Sequence, residues 1–211
     1  MKSRKSLLKK SQLYLILDKP GFSGGFLKNI RRFVSGGGIG VIQLRDKLSA
    51  KEDVLSLATK LSRQLMPSKT LFIVNDYIDV AFVSKADGVH LGQTDSSLSQ
   101  ARKILGRDKI IGISCHNLRQ ALKAQKEGAD YIGIGPVYAT ATKPGYRAIG
   151  IKALRQLKDK IKIPYFAIGN ICRDNIKEVT AAGARRIAVC RAVLQAKDPK
   201  SAAKHLLKRL K

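Results

Sequence analysis

Short apolar runs alternate with longer amphipathic stretches along most of this chain. Eight of the runs are four or five residues long, and nearly every one ends in a polar or glycine-rich cluster. Most of the intervening stretches show helical periodicity, so each run is interpreted as a strand and each stretch as a helix. The predicted strands are residues 13–17, 40–44, 71–74, 88–91, 110–113, 131–134, 165–168 and 187–190.

Strands that alternate with helices predict βαβ units and a parallel sheet. Eight such units in 211 residues predict a single α/β domain folded as a (β/α)8 TIM barrel. A doubly wound open sheet is the alternative, but eight units are many for one open sheet. Residues 1–12 are basic and are expected to form a loosely ordered extension. Active sites of such barrels lie at the C-terminal ends of the strands, so the residues after each run are the candidates for function.

Two helix boundaries carry local signals. Ser49, followed by Glu52 and an apolar series, predicts a capping box at the start of the helix after strand two. The three glycines at 36–38 predict the end of a helix that spans residues 25–35.

Composition narrows the class of protein. No apolar run approaches the roughly 20 residues that a membrane-spanning helix needs. No long apolar segment follows the basic N-terminus, so no signal peptide is expected. The three cysteines, Cys115, Cys172 and Cys190, lie outside any CxxC motif. This favours a cytoplasmic location over a disulfide framework or a structural zinc site.

The formal net charge of +26 has two interpretations. It attracts polyanions or phosphorylated substrates, or it reflects lysine-rich helix faces that are simply solvated. The basic residues are dispersed, and only the two termini are dense in them, which favours the second interpretation. Aromatic residues are few and are not interleaved with basic ones, so nucleic acid is not expected as a partner.

The end of strand two suits a phosphate ester. Alternation places Gln43, Arg45 and Lys47 on one side of the strand. At a barrel mouth the Arg guanidinium binds phosphate as a fork, and the Lys ammonium binds it as a point charge. A surface ion pair with Asp46 is the alternative.

Two carboxylates follow the next two strands. Asp76 comes directly after Asn75 at the end of strand three, and Asp95 lies shortly beyond strand four. Mg²⁺ is usually held by one or two carboxylates together with substrate phosphates and water, so the pair predicts a magnesium site beside Arg45 and Lys47. Helix capping is the alternative for each, because each precedes a helical stretch.

Strands four and five offer four further candidate residues. His90 lies inside strand four and is interpreted as a hydrogen-bonded group of the core or rim, not as a base. Ser114 follows strand five and is a candidate hydrogen-bond donor to phosphate. Cys115 and His116 are neighbours on a strand and point to opposite sides, so a Cys–His nucleophile pair is not expected.

The remaining candidates follow strands six to eight. Thr140 and Thr142 alternate in a long polar segment and Lys143 adds a cation, although a lid without ligand contacts is the alternative. The loops after strands seven and eight of such barrels frequently bind phosphate through backbone N–H groups. Here those loops begin with Gly169, Asn170, Cys190 and Arg191.

Taken together, these motifs resemble the thiamine-phosphate synthase family, in the same order along the chain. The matching segments are residues 43–47, 75–76, 89–95, 112–114, 135–143 and 167–171. The resemblance implies a Mg²⁺-dependent transferase of thiamine biosynthesis. Hydroxymethylpyrimidine diphosphate loses pyrophosphate, and the nitrogen of a thiazole phosphate attacks its methylene carbon to give thiamine phosphate. Small phosphorylated molecules are then the partners, no membrane is involved, and a homo-oligomer is compatible with the family.

The resemblance also implies a role for each candidate residue. Asp76 and Asp95 are implied to bind Mg²⁺. The catalytic residues are Arg45, Lys47, Ser114 and Lys143. The pyrimidine diphosphate is bound by Gln43, Arg45, Lys47 and Asn75, and its pyrophosphate also by Ser114 and Lys143. The thiazole phosphate is bound by Thr140, Thr142, Gly169, Asn170, Cys190 and Arg191.

The chain departs from the family pattern at three places on the thiazole-phosphate side. Asn170 stands where a second glycine is usual, and Arg191 stands where a small hydroxyl residue is usual. Pro144 and Gly145 replace a polar continuation after Lys143. Either Arg191 itself binds the thiazole phosphate, or the second substrate differs.

Two other functions stay open. A thiazole tautomerase shares the fold but has little use for paired metal aspartates. A catalytically inert barrel that binds nucleic acid through its basic exterior leaves the same two aspartates unexplained, and it predicts a steep salt dependence of binding.

Overall fold

The computed structural model describes residues 3–19, 22, 25, 27, 29–140 and 145–210. All eight predicted runs form strands, and these close into a parallel barrel in which β8 pairs with β1. The (β/α)8 prediction is therefore confirmed, and the open-sheet alternative is wrong. The strands are β1 (Leu13–Asp18), β2 (Val41–Arg45), β3 (Leu71–Asn75), β4 (Gly88–Leu91), β5 (Ile110–Cys115), β6 (Tyr131–Ile134), β7 (Tyr165–Ile168) and β8 (Ile187–Val189).

Helices cover the outside of the barrel because their apolar faces pack on the strands. In the described part of the chain they are α1 (Arg4–Lys10), α2 (Ile30–Gly37), α3 (Lys51–Leu65), α4 (Ile78–Val83), α5 (Leu98–Leu105), α6 (Leu118–Lys126), α7 (Gly150–Leu157), α8 (Ile176–Ala181), α9 (Arg191–Leu194) and α10 (Pro199–Leu210). None of these helices has the length and apolarity to cross a membrane.

The N-terminal segment differs from the loosely ordered extension that its basic composition suggested. Residues 4–10 form α1, and Leu8 is buried against the cluster that fills the barrel interior. Arg4 forms an ion pair with Asp87 at 2.7 Å, and Lys5 forms one with Asp130 at 2.9 Å. One buried leucine and two ion pairs thus attach α1 to the N-terminal end of the barrel.

The predicted capping box at Ser49 and Glu52 is wrong. The residue that precedes α3 is Ala50, and it makes no side-chain cap. A buried carboxylate organises this loop instead, because Asp46 accepts hydrogen bonds from the backbone N–H groups of Leu48 and Ser49 at 3.1 and 3.0 Å. The glycine cluster behaves as predicted, since Gly38 ends α2 in the left-handed conformation at φ +68°.

Two apolar layers hold the barrel together. Outward-facing strand residues such as Leu15 and Ile42 pack against the helices. Inward-facing residues such as Tyr14, Val41 and Phe166 fill the interior above Leu8. The interior is therefore solid towards the N-terminal end and open only at the C-terminal ends of the strands, which positions the candidate site.

Candidate active site

Inward-facing side chains leave a cavity of about 550 Å³ at the C-terminal end of the barrel. Its floor holds three aromatic rings, with Phe166 edge-on to Tyr14 and to Tyr131 at centroid distances of 5.2 and 5.7 Å. Gly112 is opposite Tyr131 in the strand register, and a Cβ at this glycine would come within 2.1 Å of the tyrosine ring. Sequence reasoning missed both tyrosines, although the glycine facing Tyr131 was an available signal.

Hydrogen bonds connect five polar side chains across this floor. The Gln43 amide donates to the Tyr14 hydroxyl at 2.9 Å, and the two tyrosine oxygens are 2.8 Å apart. Tyr131 Oη lies 3.0 Å from His90 Nδ1, and His90 Nε2 lies 2.9 Å from Ser114 Oγ. The interpretation of His90 as a hydrogen-bonded core group is therefore confirmed.

A second, polar compartment of about 230 Å³ opens beside this cavity. The two share Arg45, Asn75, Ser114 and His116 in their walls. The structure therefore brings the predicted residues from the ends of β2 to β5 together at one place. The side chains that line only the polar compartment include Lys47, Asp76, Gln93, Asp95 and Tyr146.

Arg45 and Lys47 do not form the surface ion pair with Asp46 that was the alternative. Arg45 Nη1 contacts the Asp18 carboxylate, and Lys47 Nζ lies 2.9 Å from Asp76 Oδ2. Arg45 is largely buried, and its Nε–H has no hydrogen-bond partner among the described residues. An unpartnered buried donor in the wall of a polar compartment is suited to an anionic ligand.

Asp76 and Asp95 form a carboxylate pair in the same compartment. Burial raises the pKa of Asp76, and the hydrogen bond and charge of Asp95 raise it further, while Lys47 opposes this shift. Asp76 has a left-handed backbone at φ +62°, and its N–H donates to the His90 carbonyl at 2.9 Å. Two carboxylates held in contact suit a hard divalent cation, because Mg²⁺ prefers oxygen ligands.

The helix-capping alternative for these aspartates is wrong. The residue that precedes α4 is Tyr77, which makes no side-chain cap, and Ser97 forms the capping box of α5. Within the described ranges no group of three or more His, Cys, Asp or Glu side chains gathers as metal ligands. A divalent cation bound at Asp76 and Asp95 would therefore need its other ligands from substrate and water.

Cys115 and His116 do not form a nucleophile pair, as predicted. Burial raises the pKa of the Cys115 thiol to about 12. His116 turns away, with Nδ1 at 2.5 Å from the Gly135 carbonyl and its ring packed at a tilt against Tyr146, at a centroid distance of 4.8 Å. His116 and Tyr146 thus form part of the wall of the polar compartment, a role that the sequence did not indicate.

Known proteins match this chain over nearly its whole length. The family model for thiamine monophosphate synthase matches residues 13–193. The chain belongs to this family. The family-level prediction is therefore confirmed.

Individual relatives agree with the family assignment. The chain is 42% identical over 201 residues to the thiamine-phosphate synthase of Shouchella clausii, covering 95% of this chain and 96% of that protein. It is 45% identical over 174 residues to the thiamine-phosphate synthase of Thermosynechococcus vestitus, covering 82% of this chain but 50% of that longer protein. The solved thiamine phosphate pyrophosphorylase from Pyrococcus furiosus superposes with a TM-score of 0.85 at 36% identity, over 97% of both chains.

The residues predicted to bind the thiazole phosphate are only partly described in this thiamine-phosphate synthase family member. The structure places Thr140, Gly169, Asn170, Cys190 and Arg191 together in the wall of the larger cavity. The predictions for Thr142 and Lys143, and the departure at Pro144, lie outside the described residues. The cavity wall thus includes two of the three departures from the family pattern, Asn170 and Arg191.

Backbone conformation explains how Asn170 replaces a glycine. Gly169 has φ +112°, and a Cβ there would come within 2.5 Å of the Pro136 backbone, so this position requires glycine. Asn170 is left-handed at φ +49°, a conformation that asparagine adopts more readily than most residues. Its carbonyl accepts a hydrogen bond from the Asn175 side chain at 2.9 Å. The loop after β7 therefore keeps a glycine-like backbone.

Several of the described basic residues at the mouth are balanced by aspartates. Each of Arg45, Lys47 and Lys19 is paired there with an aspartate. Unbalanced basic residues instead occupy loops at the closed end of the barrel, such as residues 158–162 and 185–186. Part of the net positive charge thus lies on solvated faces away from the candidate site.

We expect Asp76→Asn to raise the melting temperature of the Mg²⁺-free protein. The change removes charge repulsion with Asp95 and suits the left-handed backbone, at the expense of one half-exposed contact with Lys47. A net gain of about 1 kcal/mol corresponds to roughly 2–4 °C for a chain of this size. Thermal denaturation with and without Mg²⁺ measures it, and added Mg²⁺ should stabilise the unmodified protein but not Asp76→Asn.

Asp79→Asn is the matched control, because Asp79 forms an exposed ion pair with Lys51 outside the compartment. It should not raise the melting temperature, and it should leave the Mg²⁺ effect intact. If both variants lose stability equally, the two carboxylates are not in electrostatic conflict and the metal assignment loses its support.

Proposed function

We propose that this barrel couples hydroxymethylpyrimidine diphosphate with thiazole phosphate to give thiamine phosphate and pyrophosphate, with Mg²⁺ as cofactor. One observation carries the proposal. The Asp76–Asp95 pair and the cations Arg45 and Lys47 line a polar compartment that opens into a larger, aromatic-floored cavity. The three free cysteines fit a cytoplasmic location.

The two compartments suit the two parts of the first substrate. The larger cavity has Phe166 and Ile168 in its wall, and Gln43 adds an amide that distinguishes polar ring atoms. Its volume of about 550 Å³ falls in the usual range for small-molecule sites. The polar compartment suits a diphosphate, because Arg45 and Lys47 supply positive charge there.

The chemistry requires charge neutralisation and no covalent enzyme intermediate. The bond between the methylene carbon and the diphosphate oxygen breaks, and the electron pair leaves on the diphosphate. The thiazole nitrogen lone pair then forms the new carbon–nitrogen bond. Arg45 and Lys47 stabilise the charge that develops on the leaving group. Mg²⁺, held by Asp76 and Asp95, would add Lewis-acid stabilisation of the same charge.

The cysteines near the site take no part in this step. Burial raises the pKa of Cys190 to about 11, just as burial raises that of Cys115 to about 12. Both thiols are therefore protonated near neutral pH and are weak nucleophiles. This agrees with a reaction in which the only nucleophile is the thiazole nitrogen.

The need for a divalent cation distinguishes the synthase from the thiazole tautomerase alternative. Removing divalent cations with a chelator should abolish the synthase reaction, and Mg²⁺ should restore it. A tautomerase would interconvert thiazole tautomers equally well before and after chelation. The names of the relatives favour the synthase.

Arg191 provides a test of the second substrate. Arg191 begins α9 and lies in the wall of the larger cavity, where its guanidinium suits a phosphate. If it binds the thiazole phosphate, Arg191→Ser should raise the Michaelis constant for that substrate roughly tenfold, equivalent to about 1.4 kcal/mol. The constant for the pyrimidine diphosphate should stay unchanged. Unchanged or faster coupling would show instead that Arg191 obstructs the site.

A further inference from the structure

The five polar side chains of the cavity floor form one continuous hydrogen-bonded chain. We propose that Tyr14 and Tyr131 are positioning residues that transmit the hydrogen-bond direction set at Gln43 through His90 to Ser114. The direction is a property of the free protein. Its consequence for catalysis rests on the function proposed above.

The number of available hydrogens couples the directions of the four hydrogen bonds to one another. Each of the four contacts spans 2.8–3.0 Å and accommodates one hydrogen. Each tyrosine hydroxyl carries one hydrogen, and a neutral imidazole carries one N–H and one lone pair. Burial raises the pKa of both tyrosines far above neutrality, so neither loses its hydrogen. A buried hydroxyl hydrogen without an acceptor is unfavourable, so a tyrosine that accepts from one neighbour donates to the other. Fixing the direction of the first contact therefore fixes the other three.

In the structure the chain begins with a donor, because Gln43 Nε2–H points to the Tyr14 hydroxyl. Tyr14 then donates to Tyr131, and Tyr131 donates to His90 Nδ1. The imidazole hydrogen is consequently on Nε2 and is donated to Ser114 Oγ. The hydroxyl hydrogen of Ser114 is left to point into the cavity.

An acceptor at position 43 would reverse every step. Tyr14 would donate to it, Tyr131 would donate to Tyr14, and His90 would carry its hydrogen on Nδ1. Ser114 would then donate to His90 Nε2 and present only a lone pair to the cavity. The two directions therefore differ in whether Ser114 is a donor or an acceptor towards a ligand.

This difference matters because Ser114 is in the wall of both compartments. Diphosphate oxygens accept hydrogen bonds, so only the first direction lets Ser114 bind them. The buried tyrosines thus determine, without touching the diphosphate, whether Ser114 donates a hydrogen bond to it. Their hydroxyl groups act through His90 and Ser114, not by contact with the leaving group.

The test measures the tautomer of His90 by the nitrogen chemical shifts of its imidazole ring in the ligand-free protein. The pH is kept well above the ordinary imidazole pKa of about 6.5, so that the ring is neutral. The unmodified protein should show the Nε2–H tautomer. Gln43→Glu should switch it to the Nδ1–H tautomer, at a pH where the carboxyl carbon resonance shows the new group to be ionised.

Two further variants identify the tyrosines as the connection. In Tyr131→Phe the chain is interrupted, so adding Gln43→Glu to it should no longer change the His90 tautomer. Gln93→Glu is the matched control, because Gln93 lies beside the site and donates to the Ser114 carbonyl at 2.6 Å but is outside the chain. It should leave the tautomer unchanged. A His90 tautomer that is Nδ1–H in the unmodified protein, or unaffected by ionised Gln43→Glu, would overturn the proposal.

Kinetics connect the direction to the reaction. Tyr131→Phe should lower kcat/KM for the pyrimidine diphosphate about tenfold, the lower end of the effect of losing one charge-assisted hydrogen bond, because Ser114 is then no longer fixed as a donor. The KM for the thiazole phosphate should not change. If the tautomer switches as expected but the unmodified protein makes no thiamine phosphate, the proposed function fails and the hydrogen-bond proposal stands.

Discussion

Asp95→Asn is expected to lower turnover by about a hundredfold or more, because removing one preorganised charge at a reacting diphosphate has effects of this size. Asp95 is held towards the compartment by the Gly92 N–H, which donates to its Oδ2 at 2.5 Å. Replacing the carboxylate with an amide keeps the shape and removes the negative charge that a divalent cation requires. Formation of thiamine phosphate over a series of Mg²⁺ concentrations measures the effect, and the variant should need more Mg²⁺.

Asp79→Asn is the control for this experiment as well. It removes an aspartate from the neighbouring helix α4 without touching the compartment, so activity and Mg²⁺ dependence should remain those of the unmodified protein. If Asp95→Asn keeps full activity at limiting Mg²⁺, the carboxylate pair is structural and the metal assignment is wrong.

Arg45→Ala is expected to weaken the use of the pyrimidine diphosphate by one to two orders of magnitude, since a charge-assisted hydrogen bond contributes about 1.5–3 kcal/mol. The reason is the position of the guanidinium, which is largely buried, contacts Asp18 and leaves Nε–H without a partner in the described part of the chain. The KM for each substrate, measured with the other saturating, separates the effect. The thiazole-phosphate constant should change little.

The loss of the Asp18 contact requires a control. Arg45→Lys keeps the positive charge and removes the planar fork, so it should show an intermediate loss confined to the same substrate. Equal changes in both Michaelis constants would mean that Arg45 supports the barrel mouth as a whole and does not bind the diphosphate.

The fold was predictable because parallel strands buried on both faces form continuous apolar runs. Strand ends were harder, and β5 extends to Cys115, two residues beyond its predicted end, because Ser114 and Cys115 are polar by type yet buried. The N-terminal helix was missed for a related reason. Its composition is basic, and the one buried residue that anchors it, Leu8, forms no periodic pattern on its own.

Candidate site residues were predictable where they directly follow a strand, because active sites of such barrels lie at the C-terminal ends of the strands. Arg45, Lys47, Asp76 and Asp95 were predicted in this way, and the structure brings them into one compartment. Their pairing was not, because the contact of Arg45 with Asp18 depends on the register between β1 and β2, in which these two residues lie side by side.

The hydrogen-bonded floor was not predictable for a different reason. Tyr14 and Tyr131 lie within apolar strands, where a tyrosine resembles any other core residue. Only the convergence of β1, β4, β5 and β6 shows that their hydroxyl groups meet His90 and Ser114. A polar network inside a barrel therefore depends on contacts between strands that are distant in the sequence.

The most direct test of the account is the coupling reaction itself. Purified protein is mixed with hydroxymethylpyrimidine diphosphate, thiazole phosphate and Mg²⁺, and thiamine phosphate and pyrophosphate are both quantified. The account predicts equimolar formation of the two products, loss of both on chelation of Mg²⁺, and their near-absence with Asp95→Asn. Folded protein that forms neither product with both substrates and Mg²⁺ present would contradict it.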